Sequence, residues 1–244
     1  MQGARKETCG EQRARNARRI TTRKMREERR YIMNPNRVKR NDLLSEKVIK
    51  GLQSRNMEGF YAESKEEALA KALELIPEGS SISWGGSVSI AEIGLKDAVC
   101  QGNYTVYNRD KAVNAEERDA IEQQATQCDF FLCSSNAVTE DGVLINIDGH
   151  ANRVSAIAHG PKNVLMIVGM NKVVRDVDSA ISRARNEAAP INAQRFNLST
   201  PCCKTGACFD CKSPDSICSQ ILITRRSMEP GRIKVILVND ALGF

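Results

Sequence analysis

A chain of 244 residues with 41% apolar and 27% charged side chains can bury a sizeable core and has the composition of an ordinary globular protein. The net charge of +6 is uneven: residues 1–40 carry 14 basic and 4 acidic side chains, or +10, and the rest carry 22 basic and 26 acidic, or −4. No apolar run reaches the length of a membrane span, the first residues are charged rather than a secretory signal, and nine cysteines in such a chain are expected as reduced thiols in the cytoplasm.

Residues 1–33 read as a basic arm (Arg13, Arg15, Arg18, Arg19, Arg23, Lys24, Arg26, Arg29, Arg30), expected to be disordered or a solvated helix because it has almost no apolar surface to bury. Tyr31 is the arm's one stacking aromatic, which argues against a dedicated nucleic-acid site. Leu43, Leu44, Val48, Ile49 and Leu52 recur at helical spacing, predicting a helix over Asp42 to Met57. A short strand at 59–62 is followed by the capping box Ser64 to Glu67 and a helix to Ile76. Ser80 to Trp84 is a strand running into Gly85-Gly86-Ser87, with a helix from about Ser89 and a strand at 105–107. A second capping box at Asn114 opens a helix to Gln127. Asp129 to Ser134 is a buried strand, and Glu140-Asp141-Gly142 turns a hairpin whose second arm is Val143 to Ile147. A short helix over Arg153 to Ala158 precedes the apolar run Asn163 to Val168, suited to a central parallel strand. Asp178 to Ala188 is helical, and Ile221 to Thr224 and Ile233 to Val238 are strands. Alternating helices and strands predict an α/β fold with a largely parallel sheet. The domain reading is an α/β domain over 34–200, a cysteine-rich loop over 201–218, and strands over 219–244 that complete the same domain.

Three segments carry chemistry. Cys202, Cys208, Cys211 and Cys218 crowd one loop punctuated by Gly206 and Pro214, and Cys208 and Cys211 form a C-x-x-C pair. Thiolates are soft donors, and four of them suit zinc or an iron–sulfur cluster; whether Cys203 is also a ligand stays open. Reduced structural or redox-active thiols are the alternative, and Cys100, Cys128 and Cys133 read as simple apolar fillers. Trp84, Gly85, Gly86 and Ser87 stand at a strand-to-helix junction, where glycines let backbone approach an anion and a helix start offers free N–H groups. Polar residues crowd the strand ends further on: Asn136, Asn152 and Arg153 as ligand-binding candidates, and Glu140, Asp148 and Arg153 as catalytic candidates. Turn formation accounts better for Glu140 and Asp141, and about equally well for Asp148 and Arg153. No G-x-G-x-x-G flavin or nicotinamide fingerprint is present, and the Gly-rich loop lacks the ending of a phosphate-binding P-loop.

The ordered motifs Ser83 to Ser87, Asn136 to Gly142, Asn146 to Gly149, Asn152-Arg153, Gly169 to Val174, Thr205 to Cys218 and the Leu242-Gly243-Phe244 end together resemble the LUD-domain family, lactate-utilisation protein C-like, over Asn34 to Phe244. The resemblance implies a fold related to ribose-5-phosphate isomerase, glucosamine-6-phosphate deaminase and the CoA transferases, with the Gly-rich loop and the hairpin region lining the cleft. It implies a component of small organic acid oxidation, lactate foremost, binding an anionic small molecule and working with redox partner subunits or as a homo-oligomer. Two alternatives remain: an isomerase or acyl/CoA-type transferase using Glu140 or Asp148, and a non-enzymatic metal or redox sensor. A shared fold does not decide among them, nor whether the chain is an enzyme.

Overall fold

The computed structural model describes residues 34–244, so the basic arm expected over 1–33 lies outside the described residues. Contacts divide the chain into two compact units, residues 1–43 and 44–244. Helix α1 spans Pro35–Ser54, starting earlier than its apolar spacing suggested.

The second unit is built on two sheets. The larger has six parallel strands in the order β1 (Glu58–Ala62), β10 (Ile233–Val238), β7 (Asn163–Gly169), β4 (Phe130–Cys133), β2 (Ser81–Trp84), β3 (Thr105–Tyr107). Its central strand β7 shows why a continuous apolar run was needed. Leu165 and Ile167 face one layer, with Ile82, Trp84, Leu132 and Ile236, while Val164, Met166 and Val168 face the other, with Phe131, Val235 and Leu237. Helices α2 (Lys65–Leu75), α3 (Val88–Glu92) and α4 (Leu95–Gln101) cover the first face, where Ala68, Ala72, Ile90, Leu95 and Val99 are buried. Val48 and Leu52 of α1, and Ala156 and Ile157 of α6 (Asn152–Ala158), cover the second. Helix α5 (Ala115–Ala125) is capped as the sequence predicted: Asn114 Oδ1 accepts from the Glu117 amide at 2.8 Å.

The second sheet departs from the sequence reading. Strands β8 (Val173–Val174), β5 (Ala137–Thr139), β6 (Leu144–Asp148) and β9 (Gln220–Thr224) form a separate four-stranded mixed sheet, with the predicted hairpin at its centre and β9 antiparallel to β6. Strand β9 therefore joins the hairpin, and only β10 enters the parallel sheet. Ala137, Ile145 and Ile147 pack against Ala180 and Ala184, on and just beyond α7 (Val177–Arg183). A π-helical turn at Ala184–Ala188 carries the chain into α8 (Ala189–Arg195), beyond the predicted end at Ala188, and α9 (Pro201–Thr205) opens the cysteine loop. Among the described residues, no helix is long and apolar enough to cross a membrane.

Candidate functional site

In the parallel sheet, β2 is flanked by β3 on one side and β4 on the other, so the chain reverses its direction of build at this point. Open α/β sheets bind ligands in the crevice at strand C-termini beside such a reversal. A cleft of about 760 Å³ lies there. It is lined from four strand ends: Gly86 to Ser89 after β2, Ser134 to Asn136 after β4, Lys172 after β7, and Gly243 and Phe244 after β10. Asp148 to His150 from the small sheet and Arg195 and Phe196 from α8 complete the walls.

Of the residues the sequence singled out, Gly86, Ser87, Asn136, Asp148, Asn152 and Arg153 meet in this cleft. Trp84 and Gly85 do not line it. Trp84 is buried in the core, and its indole N–H donates to Asp110 Oδ2 at 3.0 Å. Burial pushes the Asp110 carboxyl up, but hydrogen bonds from Lys96 and Trp84 outweigh this and hold it below the usual range. Gly85 is required from below: a Cβ there would stand 3.0 Å from the Arg153 side chain, so the loop lies directly on that arginine. The expected helix-start site is also changed. Helix α3 has five residues, and Ser87 Oγ already accepts from the Ile90 amide at 3.4 Å.

Glu140 lies outside the cleft, on the hairpin turn, where it accepts from Lys47 Nζ at 2.6 Å. Asp148 is in the cleft, but its Oδ1 takes the Gly149 amide at 3.0 Å and its Oδ2 the Arg153 and Val154 amides at 2.9 and 3.0 Å. It anchors the first turn of α6. Arg153 is engaged just as fully. It donates to Ser134 O at 3.1 Å, Asn146 Oδ1 at 2.6 Å, Asn136 Oδ1 at 3.0 Å and Ile147 O at 2.6 Å. Four of its five N–H groups meet four carbonyl oxygens, so this arginine builds the floor of the cleft. Asn136 Oδ1 also accepts from the Ile147 amide at 2.9 Å, and Asn152 donates to Glu122 at 3.1 Å.

Two cleft residues were missed from the sequence. Arg195, at the end of α8, lies over the rings of Phe196 and Phe244, 4.4 and 5.8 Å from their centroids. Among the described residues no carboxylate pairs with it, whereas Arg109 and Arg118 both pair with Glu122. Lys172 is fully buried at the head of the cleft, its amine donating to the hydroxyls of Ser89 and Ser134.

The family model described as the LUD domain matches residues 45–238. The chain belongs to the LUD-domain family. The LUD domain thus spans both sheets and the cysteine loop. A solved structure similar to this LUD-domain protein is the crystal structure of a DUF162 family protein from Deinococcus radiodurans, at 12% identity and a TM-score of 0.48, covering 82% of this chain and 98% of that one. No curated protein matches the sequence.

The cysteine loop of the LUD domain abuts the cleft. Ile217 lines the cleft, and its Cα would lie 3.2 Å from a Cβ placed on Gly149. Burial, and after it the thiols of Cys208, Cys202 and Cys211, push the Cys218 thiol up to about 11. Arg185 donates to Cys208 Sγ at 3.8 Å, the Asp210 amide to the same sulfur at 3.5 Å, and Thr200 Oγ1 lies 3.1 Å from Cys202 Sγ. The donor chemistry suits a soft metal, but the thiols do not close into a ligating set. Among the described residues, no group of three or more His, Cys, Asp or Glu side chains is placed to hold a metal ion.

Proposed function

We propose that this LUD domain binds a small organic anion, a hydroxy acid such as lactate or its 2-oxo counterpart, in the cleft at the strand ends, and serves organic-acid oxidation within a cytoplasmic redox complex. Arg195 carries the reading. No carboxylate stands within ion-pair distance of its guanidinium among the described residues, Asp110 acting on it only from farther off, and Nη2 would lie 3.8 Å from a Cβ on Gly86, so it reaches over the glycine loop. A guanidinium resting on aromatic faces keeps its N–H edge for a planar anion, and a carboxylate matches that edge with two parallel hydrogen bonds. The volume suits a small molecule. Titration calorimetry of the full chain with lactate and with pyruvate tests this: saturable binding is expected, weakened in Arg195→Met. No binding of either acid refutes it.

The redox part of the proposal rests on the family resemblance and on the thiol loop beside the cleft. Cys202, Cys208, Cys211 and Cys218, crowded in one loop, are the residues that would hold zinc or an iron–sulfur cluster, and binding would have to draw their sulfurs together. Zinc would supply a structural clasp there and a cluster an electron relay.

A further inference from the structure

Among the described residues, Lys172 is the one lysine or arginine of the cleft that is not taken up by an ion pair, by the cleft floor or by the anion site. It closes the turn after β7, is 2% exposed, and lines the cleft. Its Nζ donates to Ser89 Oγ at 3.0 Å and Ser134 Oγ at 3.1 Å. Those hydroxyls turn their own hydrogens to Leu242 O at 3.3 Å and Ser135 O at 3.4 Å. The serines are thereby fixed as acceptors toward the lysine. An ammonium has three N–H groups to place, whereas a neutral amine has two and a lone pair. Two serine acceptors suffice for the neutral amine, whereas the ammonium would need a third partner from the cleft. The charged surroundings favour the same form. Burial first, then Arg183 and Arg153, draw the Lys172 pKa down to about 7, and Glu92 and Glu187 oppose this only in part. Among the described residues, no carboxylate forms an ion pair with it.

A buried lysine that is neutral near pH 7 and opens onto an anion-binding cleft is an amine nucleophile. We infer that Lys172 condenses with a small carbonyl compound bearing an anionic group, forming a Schiff base while Arg195 holds the anion. The amine adds to the carbonyl carbon and a C–N bond forms. The carbonyl oxygen then departs as water with the two amine hydrogens, and the imine nitrogen takes up one proton from solvent. No oxidant or reductant is consumed. The inference rests on the anion-site reading and adds to it the substrate class, since an acid without a carbonyl cannot undergo this step.

The test is reductive trapping on the full chain. Protein is incubated with cyanoborohydride and either pyruvate, a 2-oxo carboxylate, or glycolaldehyde phosphate, a phosphorylated aldehyde. Intact mass and peptide mapping follow, with calorimetry of the same ligands in parallel. One reduced adduct per chain, mapped to Lys172 and absent from Lys172→Met, is expected from at least one probe, and the probe that reacts names the anion. Mapping is done on the unsubstituted protein, so the result does not depend on how the variant folds. Trapping should quicken as pH rises through about 7, where the amine loses its proton. Saturable binding of a probe without an adduct, or adducts scattered over exposed lysines, overturns the Schiff base and leaves the anion site standing. Absence of both binding and adduct overturns both.

Discussion

Replacing Lys172 with methionine should stabilise the protein in acid and lose that advantage in base. The side chain keeps its length and flexibility and sheds its charge. A fall in pKa from 10.5 to about 7 means the folded state holds that proton about 5 kcal/mol more weakly than the unfolded chain. Against this, the variant loses hydrogen bonds to Ser89 and Ser134, about 1 kcal/mol each. Below about pH 7 both states of the native chain are protonated and the penalty is fully present, so the variant should be more stable by about 3 kcal/mol. Between about 7 and 10.5 the unfolded chain binds the extra proton, so native stability climbs with pH. By about pH 9 the climb amounts to about 3 kcal/mol, and the two proteins should be nearly matched. Urea unfolding under reducing conditions measures this. Burial pushes Cys128 and Cys133 up to about 11 and 12, so they add their own pH dependence, but both proteins share it and it cancels in the difference. A stability difference that stays constant from acid to base would show that Lys172 does not change protonation on unfolding, and the argument for a neutral amine would fail.

Arg195→Met should weaken binding of an organic anion by about 1.5–3 kcal/mol, ten- to a hundredfold, with little change in melting temperature because the side chain is exposed. Glu140→Gln removes only an ion pair to Lys47, whose side chain is 63% exposed, so calorimetric affinity should be unchanged and stability altered by less than about 1 kcal/mol; lost affinity would return Glu140 to the site. Gly85→Ala should cost about 1–3 kcal/mol in thermal or urea unfolding, since its Cβ meets Arg153 at 3.0 Å, whereas Gly86→Ala, with only Arg195 at 3.8 Å, should fold normally. If the four loop thiols share a metal, anaerobically purified protein should contain it and Cys208→Ser should lack it; equal metal content in both would remove the loop from metal chemistry.

The parallel sheet was legible because its strands are buried on both faces, and β4 and β7 therefore read as unbroken apolar runs. The hairpin was legible because Asp141-Gly142 demands a turn, and Gly142 has φ 88°. What the sequence concealed was long-range. Strand β9 looks like any short apolar strand, and nothing local says that Ile223 pairs with Ile145. In the site, Gly86, Ser87, Asn152 and Arg153 stood out as polar or glycine punctuation at strand ends. Trp84 stood out for the wrong reason, since its neighbours mark a cleft that the indole itself turns away from. Lys172 carried one available signal: it stands three residues past the most apolar strand, where a parallel sheet opens its crevice. Its burial depends on Ser89 and Ser134, which arrive from two other strand ends. Arg195 carried no signal, because its value lies in what it lacks.

Arg153 has a consequence for how the domain comes apart. One guanidinium holds Ser134 at the tip of the parallel sheet and Asn136, Asn146 and Ile147 at the small sheet. Releasing either sheet would leave a half-buried charge without part of its acceptors, a penalty of about 1–3 kcal/mol that local fraying does not incur. Hydrogen exchange under native conditions should therefore find the amides of Leu132 and of Ile145 opening together, at one free energy, as a single cooperative unit. A pocket floored in this way is rigid before its ligand arrives, so binding should be fast and should leave those exchange rates in step.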